Sequence, residues 1–203
     1  MNKVDPPVAV VLGRRQLCAA GLGLLSCGGG QAADWTLAEL MQSLAQKKSG
    51  KASFVEKKYI SLLDQPLESS GELSFEAPDR LEKRTLKPRP EVLLLDGDSL
   101  TVTQHDKRPL YLRLQQHPEV AALVDSIRAT LSGDLVALEK NYSIQFTGGP
   151  NKWQLTLTPL QKAVTKVVSQ IRIGGTEAHI KTISFEQMDG DRSEMTISKV
   201  VAP

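Results

Sequence analysis

Strict alternation of side-chain character over residues 67–76 is the feature that most constrains how this chain folds. From Leu67 to Glu76, every second residue is apolar or small, and each residue between them is glutamate or serine. Successive side chains of a β-strand point to opposite faces, so this pattern predicts a strand with one dry face and one solvated face. Such strands are typical of an antiparallel sheet that is covered on a single face.

Strand-like segments recur along most of the chain, and the alternation is clear again at 100–103, 110–114, 142–146 and 153–157. The further segments are 81–86, 92–95, 100–103, 110–114, 142–146, 153–157, 167–173, 180–187 and 194–200. Turn sequences separate them, among them the hairpin-type pair Asp96–Gly97, and we expect Gly174–Gly175 to end a strand in the same way. The pattern predicts about ten strands joined as an antiparallel meander.

Three segments have helical periodicity instead. They are residues 37–48, residues 118–131 and a short stretch from Leu135 to Leu138. Asp34 or Thr36 can cap the first helix, and Gly50 is expected to end it. The second helix begins at Pro118 and carries one apolar stripe, formed by Val120, Leu123, Val124, Ile127 and Leu131. The fold class predicted is α+β, mainly antiparallel β.

Residues 1–32 have the pattern of an export signal. They combine basic residues, a short apolar stretch and small residues at a cleavage site: Lys3, Arg14–Arg15, 17–26 and Gly30–Ala32. The apolar stretch is too short to span a bilayer. We therefore expect cleavage after Ala32, a single domain over residues 33–203, and a periplasmic location.

Two alternatives concern how this segment is processed. The sequence from Leu24 to Cys27 resembles a lipobox, so Cys27 could instead be lipidated and anchor the protein to a membrane. Arg14–Arg15 resembles part of a twin-arginine signal, although the ordinary secretory route is favoured. Both cysteines, Cys18 and Cys27, lie in this segment. Its removal lowers the formal charge from +2 to zero, so no basic field for nucleic acid is expected.

The sequence is poor in groups that perform catalysis. His105, His117 and His179 are not spaced as metal ligands, and no nucleophile motif or cysteine remains after residue 32. Asp189–Gly190–Asp191 is interpreted as a hairpin turn because the other ligands of a calcium loop are missing. We expect no enzymatic activity, no metal and no cofactor.

A local basic cluster has two interpretations. It comprises Arg80, Lys83, Arg84, Lys87 and Arg89. The simpler one is a solvated strand face. The other is contact with lipid phosphate or an acidic membrane partner.

Several motifs occur in an order that resembles a known family. They are Ala52–Lys57, the stretch from Ser70 to Leu81 with its Gly-x-Leu strand and proline turn, the Asp-Gly turn within Leu94–Leu100, and the stretch from Ile183 to Ile197. Together they resemble the outer-membrane lipoprotein carrier (LolA) family, particularly its LolA-like branch found with aryl-polyene lipid pathways. The resemblance covers about residues 35–200.

The resemblance implies a strongly curved sheet, an incomplete barrel, with helices as a lid over an apolar cavity. It implies a monomeric carrier that takes an acylated lipoprotein or other amphiphile from an inner-membrane release complex to an outer-membrane acceptor. Carried over by position, the cavity and lid residues would be Phe54, Leu73, Phe75, Leu81, Leu93, Leu95, Leu155, Phe185, Ile127 and Leu131.

One position departs from the family pattern. Family carriers have an arginine immediately before the turn proline, where it helps to latch the lid, and this chain has Ala77 there. The departure favours cargo other than a lipoprotein, such as an acylated pigment or glycolipid precursor. Two alternatives remain open: a lipidated, membrane-tethered acceptor resembling LolB, and an interaction module with a filled core.

Overall fold

A computed structural model describes residues 35–199, which form one antiparallel sheet and three α-helices. The helices are α1 (Leu37–Ala45), α2 (Pro118–Ser132) and α3 (Leu135–Asn141), with a short 3-10 helix at Leu114–Gln116. The strands are β1 (Ser49–Tyr59), β2 (Leu67–Glu76), β3 (Arg80–Lys87), β4 (Glu91–Asp96), β5 (Ser99–Gln104), β6 (Leu110–Arg113), β7 (Tyr142–Gly149), β8 (Lys152–Pro159), β9 (Val168–Thr176), β10 (His179–Gln187) and β11 (Arg192–Lys199).

The sheet is a meander in two halves. Its order is β6-β5-β4-β3-β2-β1-β11-β10-β9-β8-β7, so the first and last strands of the chain pair at its centre. The edge strands β6 and β7 do not pair with each other, and the sheet is not closed into a barrel. The helices α2 and α3 connect these two edges.

Local hydrogen bonds and backbone geometry determine where α1 begins and where α2 ends. The Thr36 hydroxyl accepts a hydrogen bond from the backbone N–H of Glu39, whose carboxylate accepts in return from the N–H of Thr36, which is a complete capping box. α2 ends at Gly133, whose left-handed φ of 68° only glycine adopts without strain. A side chain at Gly133 would also collide with the carbonyl of Met41. The C-terminal end of α2 therefore packs directly on α1.

The hydrophobic core lies between the helices and strands β7–β10. Its fully buried members include Leu40 and Leu44 from α1, Leu138 from α3, and the strand residues Leu155, Leu157, Ile171 and Ile173. Burying each such side chain contributes roughly 1.5–3 kcal/mol. This half of the molecule supplies most of the packed interior.

The mainly antiparallel architecture predicted from the sequence is confirmed, with three local differences. The sheet has eleven strands instead of about ten, and α1 ends at Ala45 while Gly50 lies in β1. The pair Gly174–Gly175 lies buried inside β9, and the turn follows at Glu177. An aromatic ring explains the glycine, because a Cβ on Gly175 would approach the indole of Trp153 to 2.5 Å.

The predicted export signal, with Cys27, lies outside the described residues. Over residues 35–199, none of the helices has the length and apolar character that crossing a membrane requires.

Candidate functional site

The strand register places every predicted cavity residue of the sheet on one face. Directly opposite residues of antiparallel strands point to the same side. The register runs Leu73–Lys83–Leu93 across three strands, and Phe75–Leu81–Leu95 one step above it. Phe54 lies opposite Gly71 on this face, and the pairs that start from Glu56 carry the same face across the centre to Leu155 and Phe185.

This face divides into a packed part and an uncovered part. Leu155 is 0% exposed in the core beneath the helices, and Phe185 packs against that core. On β2–β6 the same face carries a group of apolar side chains around Lys83; most of them are half-buried, whereas Phe75 and Leu95 are buried. This group, the open apolar face, consists of Leu73, Phe75, Leu81, Leu93, Leu95, Leu100, Val102 and Leu112.

Helix α2 has two stripes that point in different directions. Its buried residues are small: Ala122, Ser126, Ala129 and Thr130. Its large apolar residues, including Ile127 and Leu131, are only half-buried. At 100° per residue the two stripes are separated by roughly 140°. The small stripe faces the core, and the large apolar stripe points to a different side of the helix, with Leu123 still packed against the core.

Two hydrogen bonds link α2 to the two halves of the sheet. The Arg128 guanidinium donates a hydrogen bond of 2.6 Å to the carbonyl oxygen of Gly97, in the turn between β4 and β5. The Tyr142 hydroxyl of β7 donates to the carbonyl oxygen of Ala122. Burial raises the pKa of Tyr142 well above its usual range, so the hydroxyl remains a donor. Helix α2 is therefore attached to the β4–β5 turn of one half of the sheet and to β7 of the other.

An ion pair lies beside the open apolar face, on the same side of the sheet. Glu56 of β1 is 5% exposed, and its carboxylate accepts hydrogen bonds from the Lys83 ammonium, from Ser193 at 2.6 Å and from Ser69 at 3.4 Å. The Lys83 ammonium also lies 5.0 Å from the centre of the Phe54 ring. Burial alone would raise the pKa of Glu56, but the charge of Lys83 and the hydrogen bonds outweigh it and hold this pKa below its usual value.

Further polar groups continue from this pair across β3–β5. Thr85 lies opposite Glu91, which lies opposite Gln104, and the Gln104 amide donates a hydrogen bond of 2.6 Å to the Glu91 carboxylate. We call this set the polar stripe: Glu56, Ser69, Lys83, Thr85, Glu91 and Gln104. It borders the open apolar face, because Lys83 is only two residues, or roughly 7 Å, from Leu81 along β3.

Two open pockets lie on the surface of the described chain. One, of about 260 Å³, lies where α2 meets the β4–β5 turn and β7, and Asp98, Asp125 and Tyr142 line it. Burial raises the pKa of Asp125, with a smaller contribution from the nearby Asp98 carboxylate. The other, of about 440 Å³, includes Phe75. Neither includes Leu73 or Leu93, which lie on a partly exposed surface instead.

Sequence reasoning missed the polar stripe and the contact made by Arg128. The basic cluster from Arg80 to Arg89 was treated as one unit, whereas Lys83 points to the opposite face from Arg84, which pairs with Glu82 at 2.6 Å. The two-residue period of β1 contained the signal for the ion pair of Glu56. Glu56 is two residues from Phe54 and therefore lies on the same dry face of β1. A buried carboxylate without a partner is costly, so a nearby cation could have been expected.

Comparison with protein-family models gives one match. The model described as outer membrane lipoprotein carrier protein LolA-like matches residues 29–200. A comparison with curated protein sequences finds no match. Within residues 35–199, no group of three or more His, Cys, Asp or Glu side chains is arranged to hold a metal ion.

Solved structures with related folds share little sequence with this chain. A LolA superfamily protein from Nitrosomonas europaea is 10% identical with a TM-score of 0.41, covering 83% of this chain and 95% of that one. A domain described as an outer membrane lipoprotein-sorting protein from Vibrio parahaemolyticus is 11% identical with a TM-score of 0.45, covering 80% and 89%. The MucA/MucB complex of Pseudomonas aeruginosa contains a chain 13% identical with a TM-score of 0.43, covering 82% and 58%.

Proposed function

This chain belongs to the LolA-like family of outer membrane lipoprotein carrier proteins, and we propose that its open apolar face binds the acyl chains of a lipoprotein or another amphiphile. The observation that carries the proposal is the group of mostly half-buried apolar side chains on one face of β2–β6, which lies beside the core cluster and is not part of it. A cluster of apolar side chains that stay partly accessible to solvent is typical of a binding site.

The energetics suit a carrier. Each methylene group transferred from water to an apolar surface contributes about 0.8 kcal/mol, so a long acyl chain provides a driving force that is offset in part by the ordering of the chain. Leu73 and Leu93, which lie on either side of Lys83 in the strand register, would supply contact surface without enclosing the chain in a rigid pocket. A partly open surface permits release as well as binding.

In this proposal α2 acts as the lid. Its large apolar stripe, with Ile127 and Leu131, would cover the outer side of the bound chain, while its small stripe stays against the core. The hydrogen bond from Arg128 to Gly97 would hold the lid to the sheet. It would replace the latch that family carriers build from an arginine at the position of Ala77.

Export and delivery complete the proposal. Residues 1–32 would direct the chain to the periplasm, where it would act as a monomer between an inner-membrane release complex and an outer-membrane acceptor. Palmitate labelling tests the lipidated alternative: label that disappears in Cys27→Ala would place the protein on a membrane, and absence of label in the wild type supports the free carrier.

The direct test is to identify what the protein carries. Native mass spectrometry of protein purified from its own periplasm is expected to reveal a co-purifying amphiphile. Displacement of the neutral dye N-phenylnaphthylamine provides the matching binding assay. Leu73→Glu places a charge on the open apolar face and is expected to weaken dye binding at least about tenfold. Glu72→Leu, on the opposite face of β2, is the matched control.

A result of equal losses in the two variants would contradict the assignment of the binding face. Undiminished dye binding in Leu73→Glu, together with no co-purifying lipid, would contradict acyl binding altogether and favour an interaction module.

A further inference from the structure

The face of the sheet that carries the predicted cavity residues has an apolar part and a polar part. Towards the β2–β3 and β4–β5 turns it is apolar, with Phe75, Leu81 and Leu95 side by side. Towards the β3–β4 turn it becomes polar, with Thr85 opposite Glu91 and Gln104 beyond. Purely structural packing does not require a polar stripe on a dry face, because each buried polar group costs free energy unless it is hydrogen-bonded.

We propose that the polar stripe is the subsite for the polar group of the cargo, and that it selects an uncharged, hydroxyl-bearing headgroup over a carboxylate or phosphate. This inference rests on the proposed function, since it places the head of the same amphiphile whose tail lies on the open apolar face. A molecule with its chain over Leu81 and Leu93 would bring its first polar atoms against Lys83 and Thr85.

The charges of the stripe determine the selectivity. It holds one ammonium, Lys83, against the two carboxylates of Glu56 and Glu91, which leaves a formal charge of −1. Glu56 already neutralises Lys83 through their ion pair. An anionic headgroup would therefore meet the uncompensated Glu91 carboxylate and be repelled.

A hydroxyl group suits the same atoms. It can donate a hydrogen bond to Glu91, which accepts one from Gln104 at 2.6 Å and, as a carboxylate, has room for more. The hydroxyl can also accept a bond from Lys83, whose side chain is 20% exposed towards this side. Hydrogen bonds to charged groups are the stronger kind, so this match can distinguish ligands that share a chain.

The test compares three ligands with the same chain: monomyristoylglycerol, methyl myristate and myristate. Each is titrated against the purified, lipid-free protein at pH 8, where myristate is ionised, and displacement of N-phenylnaphthylamine reports binding. Monomyristoylglycerol is expected to bind roughly tenfold more tightly than the methyl ester, because it alone donates to Glu91. Myristate is expected to bind more weakly than monomyristoylglycerol.

The variant Glu91→Gln removes the negative charge while keeping the shape of the side chain. It is expected to reduce the preference for monomyristoylglycerol over myristate about tenfold. Glu72→Gln makes the same change on the solvated face of β2 and is expected to leave the preference unaltered.

Each other outcome is decisive. Equal affinity for the three ligands, tightest binding of myristate, or the same change in Glu72→Gln as in Glu91→Gln would overturn the headgroup subsite and leave acyl binding intact. If none of the three ligands displaces the dye, the proposed function fails, and the headgroup subsite fails with it.

Discussion

The Arg128 guanidinium of α2 donates a hydrogen bond to the carbonyl oxygen of Gly97, joining a helix of the covered half of the sheet to a turn of the uncovered half. The Nε atom of the same guanidinium is buried and has no hydrogen-bond partner among the described residues. The group therefore bears a desolvation cost that only its remaining contacts offset. These contacts are the hydrogen bond to Gly97 and an ion pair with Asp125 at 3.9 Å.

Replacing this arginine should loosen the lid. Arg128→Met keeps much of the apolar stem and removes the donor to Gly97, so the dissociation rate of bound N-phenylnaphthylamine is expected to rise roughly tenfold. Stopped-flow fluorescence measures that rate. Arg192→Met is the control, because Arg192 pairs with Glu194 on β11, away from α2. An unchanged rate in Arg128→Met would exclude the latch.

The ion pair of the polar stripe should respond differently to single and double substitution. Lys83→Met leaves the buried Glu56 carboxylate without its cation and is expected to lower the free energy of unfolding by roughly 3 kcal/mol. Glu56→Leu combined with Lys83→Met removes both charges and is expected to restore most of that loss. Urea denaturation gives the free energy of unfolding of the wild type, the single variant and the double variant.

The control for this pair is Arg84→Met. Arg84 pairs with Glu82 on the exposed face of β3, so its loss should cost less than about 1 kcal/mol. A double variant as unstable as Lys83→Met would mean that packing, and not the unpaired charge, causes the loss.

Stability should also depend on pH through Glu56. Folding lowers the pKa of this carboxyl below its ordinary value of 4.5, so the folded protein gains stability from the ionised form. That stability is fully present above the ordinary pKa and is lost as the pH falls through the lower, folded-state pKa. The midpoint temperature of thermal unfolding should therefore fall less steeply between pH 7 and pH 3 in the double variant Glu56→Leu/Lys83→Met than in the wild type. Parallel curves would show that other carboxyls dominate.

The glycine inside β9 provides a test of the packed half. A methyl group at Gly175 would meet the Trp153 ring at 2.5 Å and the carbonyl oxygen of His179 at 2.2 Å. Gly175→Ala is expected to lower the free energy of unfolding by about 1–3 kcal/mol. At Gly149 nothing lies within 4 Å of the added carbon, so Gly149→Ala should change it by less than about 0.5 kcal/mol. Equal effects in urea denaturation would contradict the packing described.

The predictions that succeeded rest on periodicity over a single element. Thr36 and the spacing of Leu40 and Leu44 were enough to define the buried face of α1, because a helix shows its core face in three- and four-residue steps. The boundaries and Gly174–Gly175 were predicted less well. A glycine pair has the same local sequence signature whether it forms a turn or leaves room for a tryptophan from the neighbouring strand.

The candidate site divides in the same way. The parity of Leu73, Phe75 and Leu81 follows from the sequence, and their common face is confirmed by the register. Their role as a binding surface stays a prediction. The link between Glu56 and Lys83 could not be predicted, because these residues lie on strands separated by β2 and meet only through its register.

The sequence by itself determined a meander of half-dry strands and the side of each strand that avoids water, since both follow from a two-residue period. The tertiary structure alone decided which part of that dry side the helices cover. Leu155 and Leu93 both lie on the dry face of their strands, yet one is sealed beneath the helices and the other is half-buried. The reason is that helix placement depends on small residues such as Ala122 and Gly133, which allow close approach to α1 and the core, and that choice leaves the remaining apolar surface available for a ligand.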